Sequence, residues 1–144
     1  MTDNSTISMR RALPATAAQA FAAWTDAEVV TQWWGGWEPG TAPAMTSDLR
    51  VGGAWRFAMN FDGKTQWVSG TYLEIDETAK RVVFDFTWEG GEQPKTPVTL
   101  SFVDQADGTC ELQLDHDQSA GGNACEDGWG WSIGCLADHL GRSA

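Results

Sequence analysis

The sequence has 144 residues, 42% of them hydrophobic, and a formal net charge of −11. This length predicts one domain, residues 1–144, with a single core, and the acidic balance argues against binding to nucleic acids and anionic membrane surfaces, which requires clustered Lys and Arg. The opening segment contains no apolar run, so we expect no signal sequence, no membrane insertion and a soluble, cytoplasmic protein.

Cysteine and tryptophan usage narrow the chemistry further. The three cysteines, Cys110, Cys125 and Cys135, are odd in number and lack CxxC spacing, so we expect buried free thiols rather than disulfides or a zinc site. No motif indicates a cofactor or another metal. Nine tryptophans accompany a single tyrosine, and such large flat side chains fill a core or line a pocket for a flat apolar ligand.

The first part of the chain predicts one strand and two short helices. Alternation of apolar and polar residues predicts a strand over 5–13. Thr16 is a suitable cap for a first helix, and Asp26 for a second one that continues through Trp33. Glycines and prolines then predict an irregular loop over 35–43.

From residue 44 onward the pattern predicts antiparallel strands separated by turns. The Asp-Gly pairs at 62–63 and 107–108 favour tight hairpins, and Gly52-Gly53 favours a turn or bulge. The predicted strands cover residues 45–51, 54–60, 65–75, 80–88, 96–103 and 109–116.

The last stretch, residues 123–141, predicts a long amphipathic helix. Asn123 and Glu126 have the spacing of a capping box, and Gly141 stands where a C-terminal cap is expected. One face carries an apolar stripe that must be buried, formed by Trp129, Ile133, Leu136 and Leu140. Gly130 and Gly134 each cost the helix roughly 1 kcal/mol relative to alanine, so we expect their missing side chains to serve a purpose, such as enlarging a cavity beside Trp129.

Together these elements predict an α+β fold in which a curved antiparallel sheet of six to seven strands wraps around the C-terminal helix, with two short helices after the first strand. Where the sheet and the helix do not touch, a cavity remains between them. Strand faces rich in Trp and Phe are expected to line it.

Several stretches resemble the heat-shock-protein-ninety ATPase activator homologue (Aha-type) family of the START-related, Bet v-like (SRPBCC) helix-grip superfamily. They follow the family's order through nearly the whole chain, and this chain departs from the pattern at Gly130 and Gly134. The resemblance implies the helix-grip fold and a hydrophobic cavity under the C-terminal helix, without a shared catalytic triad. The matching stretches are AFAAWTDAEVVTQWWGG (20–36), DLRVGGAWRFAM (48–59), FDGK (61–64), SGTYLEID (69–76), RVVFDFTW (81–88) and GWGWSIGCLADHL (128–140).

The candidate site consists mainly of aromatic residues. Adjacent positions on a helix point about 100° apart, so either one of Trp33 and Trp34 packs inward while the other borders the cavity mouth, or both pack onto the sheet. The other strand and helix residues are either ordinary core or ligand contacts. The candidate ligand-binding residues are Trp33, Trp34, Trp55, Phe57, Met59, Trp67, Phe84, Phe86, Trp88, His116, Trp129, Gly130 and Ile133.

His116 is the one weak catalytic candidate. It follows the inward residues Leu112 and Leu114, so we expect it on the cavity side, where it would orient a ligand or act as an acid or base. The alternative is a fully hydrogen-bonded histidine at the rim. Arg56 is a second polar group that we expect to orient a ligand.

These patterns leave three functions open. The first is a module that binds a hydrophobic small molecule in the cavity. The second is an enzyme of the cyclase, dehydratase or hydrolase kind that uses His116 in the same cavity. The third, implied only by the family resemblance, is a co-chaperone that stimulates a heat-shock chaperone ATPase. The sequence leaves open whether the protein is a monomer or a homodimer.

Overall fold

A curved antiparallel sheet with three helices forms the described part of the protein. The structure, a computed structural model, describes residues 6–34, 45–61, 64–89, 95–117 and 126–143. The strands are β1 (Thr6–Leu13), β2 (Met45–Ser47), β3 (Ala54–Phe61), β4 (Lys64–Asp76), β5 (Arg81–Trp88), β6 (Thr96–Asp104) and β7 (Cys110–Asp117). The helices are α1 (Ala17–Thr25), α2 (Ala27–Trp33) and α3 (Glu126–Ser143).

The seven strands of the described residues form one sheet in the order β1-β7-β6-β5-β4-β3-β2. Every neighbouring pair is antiparallel, and each strand from β2 to β6 lies beside its successor in sequence. The first strand instead pairs with the last, with Thr6 opposite Asp117. The predicted α+β class, helix order and strand number are confirmed.

The short helices begin as the sequence predicts. At the start of α1, the Thr16 hydroxyl accepts from the Gln19 amide while the Gln19 side chain accepts from the Thr16 amide, which completes a capping box. Asp104 of β6 accepts from the Ala17 amide at 2.7 Å and so joins the helix to the sheet. At the start of α2, Asp26 accepts from the Glu28 amide at 3.0 Å.

The second strand is shorter than predicted. Residues 48–53 leave the ladder and form a tight loop in which Arg50 bonds back to the Asp48 carbonyl and Gly53 to the Arg50 carbonyl. Gly52 has a φ of +84°, and a Cβ on Gly53 would overlap the Asp48 carbonyl oxygen. The Gly52-Gly53 turn is therefore confirmed, whereas the strand prediction fails because this loop uses the backbone groups that a longer strand would need.

The C-terminal helix buries the predicted stripe. Trp129, Ile133, Leu136 and Leu140 are all buried. The proposed start at Asn123 and its cap lie outside the described residues. At the other end the helix continues to Ser143, so Gly141 does not end it. The physical reason is that glycine accepts a helical φ as readily as a left-handed one.

Candidate functional site

An aromatic cluster links α1, α2, α3 and the inner face of the sheet. The Trp34 ring lies at its centre, stacked on Phe57 with 4.8 Å between ring centroids and 12° between ring planes. Trp24, Trp33 and Trp129 lie 5.9, 6.0 and 6.3 Å from the Trp34 centroid. Side chains from the beginning, middle and end of the chain therefore meet at one indole ring.

Trp33 and Trp34 both pack inside the protein, with 1% and 4% of their surfaces exposed. Trp34 stacks on Phe57 of the sheet, while Trp33 packs against Trp24 of α1. Trp34 is the C-cap of α2 and has an extended backbone (φ −101°, ψ 150°). Because it has left the helix, its side chain is not held to the 100° helical step from Trp33.

Most buried indole N–H groups in this region have an acceptor. Trp33 donates to the Ala23 carbonyl at 3.0 Å, and Trp34 donates to the Ser132 hydroxyl at 2.8 Å. Trp129 donates to Nδ1 of His116 at 3.0 Å. In the described part of the chain, Nε1 of Trp55 is the one buried side-chain nitrogen or oxygen without a partner.

His116 is completely buried within this cluster. An indole N–H only donates, so Nδ1 of His116 must accept from Trp129 and the ring proton must lie on Nε2. That nitrogen lies 2.6 Å from the Thr96 hydroxyl, which donates in turn to the Phe86 carbonyl at 3.3 Å. Both imidazole nitrogens are therefore occupied by protein groups.

The charge state of His116 follows from its burial. Burial lowers the pKa of His116 from 6.5 to about 4 and outweighs the nearby carboxylate of Asp117, which raises it. The ring is therefore neutral near pH 7. The arrangement is that of a histidine whose hydrogen bonds are satisfied by the protein, which the sequence left open as an alternative, but the residue lies in the core and not at the rim where that alternative placed it.

A cavity of about 10 Å³ lies next to the aromatic cluster, between α1–α2 and strands β2–β5. This volume has room for about one water molecule. We call it the aromatic cavity, and its lining residues are Trp24, Val30, Trp34, Met45, Trp55, Tyr72 and Phe84. The cavity lies under the first two helices rather than under α3. Trp34 is in its wall, and the Trp34 ring in turn lies 6.3 Å from the ring of Trp129 in α3.

The Tyr72 hydroxyl is the polar end of the only tyrosine in the sequence. It lies 2.7 Å from the Ser47 hydroxyl, and either oxygen can be the donor. Burial raises the pKa of the Tyr72 hydroxyl, which is therefore protonated near pH 7.

Trp67 and Arg56 lie on the outer face of the sheet, and their predicted position beside the cavity is wrong. The Arg56 guanidinium stands 3.9 Å from the centroid of the Trp67 ring. It also donates twice to the Glu89 carboxylate, at 2.8 Å each, and these bonds lower the pKa of Glu89. Val68 faces the core, so its neighbour Trp67 must face outward.

Gly130 and Gly134 face the first strand. A Cβ on Gly130 would lie 3.6 Å from Cε of Met9, and one on Gly134 would lie 3.6 Å from Nη1 of Arg11. The space left by the missing side chains is thus next to β1, and these contacts do not favour the expectation that the glycines enlarge a cavity beside Trp129.

The other predicted site residues are distributed between the cavity wall and the core. Trp34, Trp55 and Phe84 line the cavity, while Phe86 connects them to the histidine, 5.7 Å from the His116 ring. Met59 and Ile133 are buried, and Trp88 is partly buried against the core. The residues that the sequence analysis missed are Trp24, Val30, Met45 and Tyr72.

A signal existed for two of these missed residues. Trp24 lies three residues after the buried Phe21 in α1, and Tyr72 lies four residues after the buried Val68 in β4. Each spacing places both side chains on one face of its element. Val30 and Met45 belong to short elements, in which periodicity is a weak guide.

A larger groove of about 320 Å³ lies on the surface between α1, α2 and the end of α3. We call it the surface groove, and its lining residues are Pro14, Ala15, Gln19, Ala22, Ala23, Asp26, Val29, His139 and Leu140. The surface groove and the aromatic cavity have no lining residue in common. The sequence analysis did not predict it.

Three further observations concern the described residues. No group of three His, Cys, Asp or Glu side chains among them is placed to hold a metal ion. None of the described helices is long and apolar enough to cross a membrane. Cys110 is buried, as predicted, and Cys135 is half-buried; neither forms a disulfide among the described residues, and Cys125 lies outside them.

Comparison with known proteins gives a family and a fold. The family model described as "Activator of Hsp90 ATPase homolog 1-like protein" matches residues 14–141. Protein CV1439 from Chromobacterium violaceum has 20% identity and a TM-score of 0.76, with 96% of this chain and 98% of that chain covered. NE0264 from Nitrosomonas europaea has 18% identity and a TM-score of 0.77, with 99% and 98% covered.

A third similar structure is DynU16, a protein of the dynemicin biosynthetic locus. It has 20% identity and a TM-score of 0.76, and the alignment covers 98% of this chain and 49% of DynU16. No curated protein matches the sequence significantly. At these identities the structural likeness establishes the shared fold.

Proposed function

The chain belongs to the Activator of Hsp90 ATPase homolog 1-like family, and we propose that it binds a hydrophobic small molecule in the aromatic cavity. One observation carries the proposal: four aromatic rings besides the single tyrosine surround a space that the core leaves unfilled. Flat aromatic walls with few polar groups are typical of small-molecule sites. The presence of DynU16 in a biosynthetic locus supports a small-molecule role for the fold.

The site must open to accept a ligand, because about 10 Å³ holds no more than one water. Met45 is the lining side chain that can most easily move to admit a ligand. It is only partly buried and it belongs to β2, which has three residues and lies at the edge of the sheet. An unbranched thioether adapts to irregular shapes, so we expect entry between α2 and β2.

The experiment compares the aromatic cavity with the surface groove. Flat aromatic compounds are screened by the rise in melting temperature, and hits are titrated by calorimetry. We expect Met45→Trp, which fills the cavity entrance, to weaken binding at least about tenfold. Ala22→Trp, which fills the surface groove, is the matched control and should leave the affinity unchanged. The reverse pattern would place the ligand in the groove and overturn the proposal.

The geometry favours ligand binding over catalysis by His116. Both ring nitrogens of this residue already bond to Trp129 and Thr96, so proton transfer to a ligand would first require one of these bonds to break. The family's name also points to stimulation of a chaperone ATPase. An ATPase-stimulation assay at micromolar concentrations tests that role directly.

A further inference from the structure

Trp55 lines the aromatic cavity and carries an unused hydrogen-bond donor. Its side chain is 4% exposed, lines the cavity, and has an N–H without an acceptor in the described chain. The neighbouring indoles of Trp33, Trp34 and Trp129 all have acceptors. Because a buried unpaired donor is costly and rare, the exception calls for a partner beyond the described residues, which a bound ligand would supply.

A second donor borders the same cavity. Tyr72 and Ser47 share one hydrogen bond at 2.7 Å, and each hydroxyl has one proton. One of the two protons is used in that bond. When Ser47 is the donor, the Tyr72 proton remains, and because Tyr72 is the one of the two residues that lines the cavity, it can then offer an oxygen-bearing ligand a second hydrogen bond.

The lining also limits the charge of the ligand. The residues that border the cavity are aromatic or aliphatic, and none of them carries a charge. An ionised group placed there would lose its hydration without gaining a counter-ion. A neutral acceptor such as a carbonyl oxygen avoids this cost and still pairs with the donors.

We infer that the ligand of the proposed site is a flat, neutral, hydrophobic molecule with a carbonyl-type oxygen that accepts a hydrogen bond from Nε1 of Trp55. This inference rests on the proposed function. It adds the polar group by which the cavity selects among apolar molecules, such as a ketone or quinone over the parent hydrocarbon. A single water bonded to Trp55 is the competing occupant.

The test uses two compounds with one ring skeleton, fluorenone with a carbonyl group and fluorene without it. Both are titrated by calorimetry into the unmodified protein, Trp55→Phe and Trp131→Phe, the last a control at a residue 45% exposed on α3. We expect the unmodified protein and the control to prefer fluorenone about tenfold. Trp55→Phe should lose this preference, so the readout is the ratio of the fluorenone and fluorene affinities in each protein.

A second measurement needs no variant. In nitrogen-15 NMR spectra, fluorenone should shift the Trp55 indole N–H downfield, whereas fluorene should not. Equal binding of both compounds with no effect of Trp55→Phe would overturn the inference and leave the proposed function standing, with water as the occupant. Absence of binding by both compounds would count against the proposed function itself.

Discussion

Among single residues, His116 shows how burial decides a role that residue type leaves open. Its imidazole has the pKa range of a catalytic acid or base in water, yet here both nitrogens bond within the core and the pKa is lowered to about 4. The sequence predicts the inward position of this side chain from strand alternation. It cannot predict the partners, because Thr96 and Trp129 are brought there by other elements.

The pKa of His116 gives the protein a pH-dependent stability. Between pH 6.5 and about 4 the unfolded chain binds a proton at this residue and the folded protein does not, so unfolding takes up a proton and stability falls as pH falls. We expect a loss of about 2 kcal/mol between pH 7 and pH 5 from this group. Denaturant unfolding at several pH values measures it.

His116→Gln is the matched variant for this measurement, since it keeps one donor and one acceptor without titrating. The variant should show a flatter pH dependence than the unmodified protein over the same range. Parallel curves for the two proteins would contradict the assignment of the effect to His116.

Among the elements, strand alternation separates what the sequence could predict from what it could not. In β5 the inward residues Val82, Phe84 and Phe86 alternate with Val83, Asp85 and Thr87, and their inward position is confirmed. In β4 the adjacent Trp67 and Val68 are both apolar, so alternation alone does not choose between them. The choice depends on the pairing of β4 with β3, which places Trp67 beside Arg56.

Replacement of glycine by alanine should have opposite effects on stability at Gly134 in α3 and at Gly70 in β4. Gly134→Ala should stabilise the protein by about 1 kcal/mol, because the new methyl group meets Arg11 at an ordinary contact distance and alanine favours the helix. Binding in the aromatic cavity should not change. Thermal unfolding and calorimetric titration measure the two effects.

Gly70→Ala is the contrasting variant. Its Cβ would overlap the backbone carbonyl of Asp85, so the β4–β5 pairing must distort, and we expect destabilisation of about 3 kcal/mol. If Gly134→Ala instead weakened ligand binding, the helix glycine would belong to the site as the sequence suggested.

At the scale of the whole molecule, one hydrogen bond joins the first helical pair to the last helix. Trp34, at the end of α2, donates to Ser132 of α3 across 98 positions of sequence. The α+β architecture and the buried stripe of α3 could be predicted from periodicity, because each is a local pattern that tertiary packing reinforces. The position of the cavity could not be predicted in this way, because it depends on the extended backbone of Trp34 at the end of α2.

Ser132→Ala tests this connection. It leaves the buried Trp34 N–H without an acceptor, so we expect a loss of about 1–3 kcal/mol in the free energy of unfolding. Ser8→Ala is the control, since the exposed Ser8 hydroxyl bonds to Asp115 at the surface and its removal should cost less than about 0.5 kcal/mol. Equal losses in both variants would contradict the role given to Ser132.

The pairing of the first strand with the last also has a kinetic consequence. Strands β3 to β7 can pair as successive hairpins, each of which closes a short loop. Strand β1 pairs only with β7, about a hundred residues later in the sequence, so its pairing closes a much longer loop. The polypeptide between β1 and β2 carries α1 and α2, which form one wall of the aromatic cavity. We therefore expect this wall to dock late in folding, onto a sheet that is already assembled.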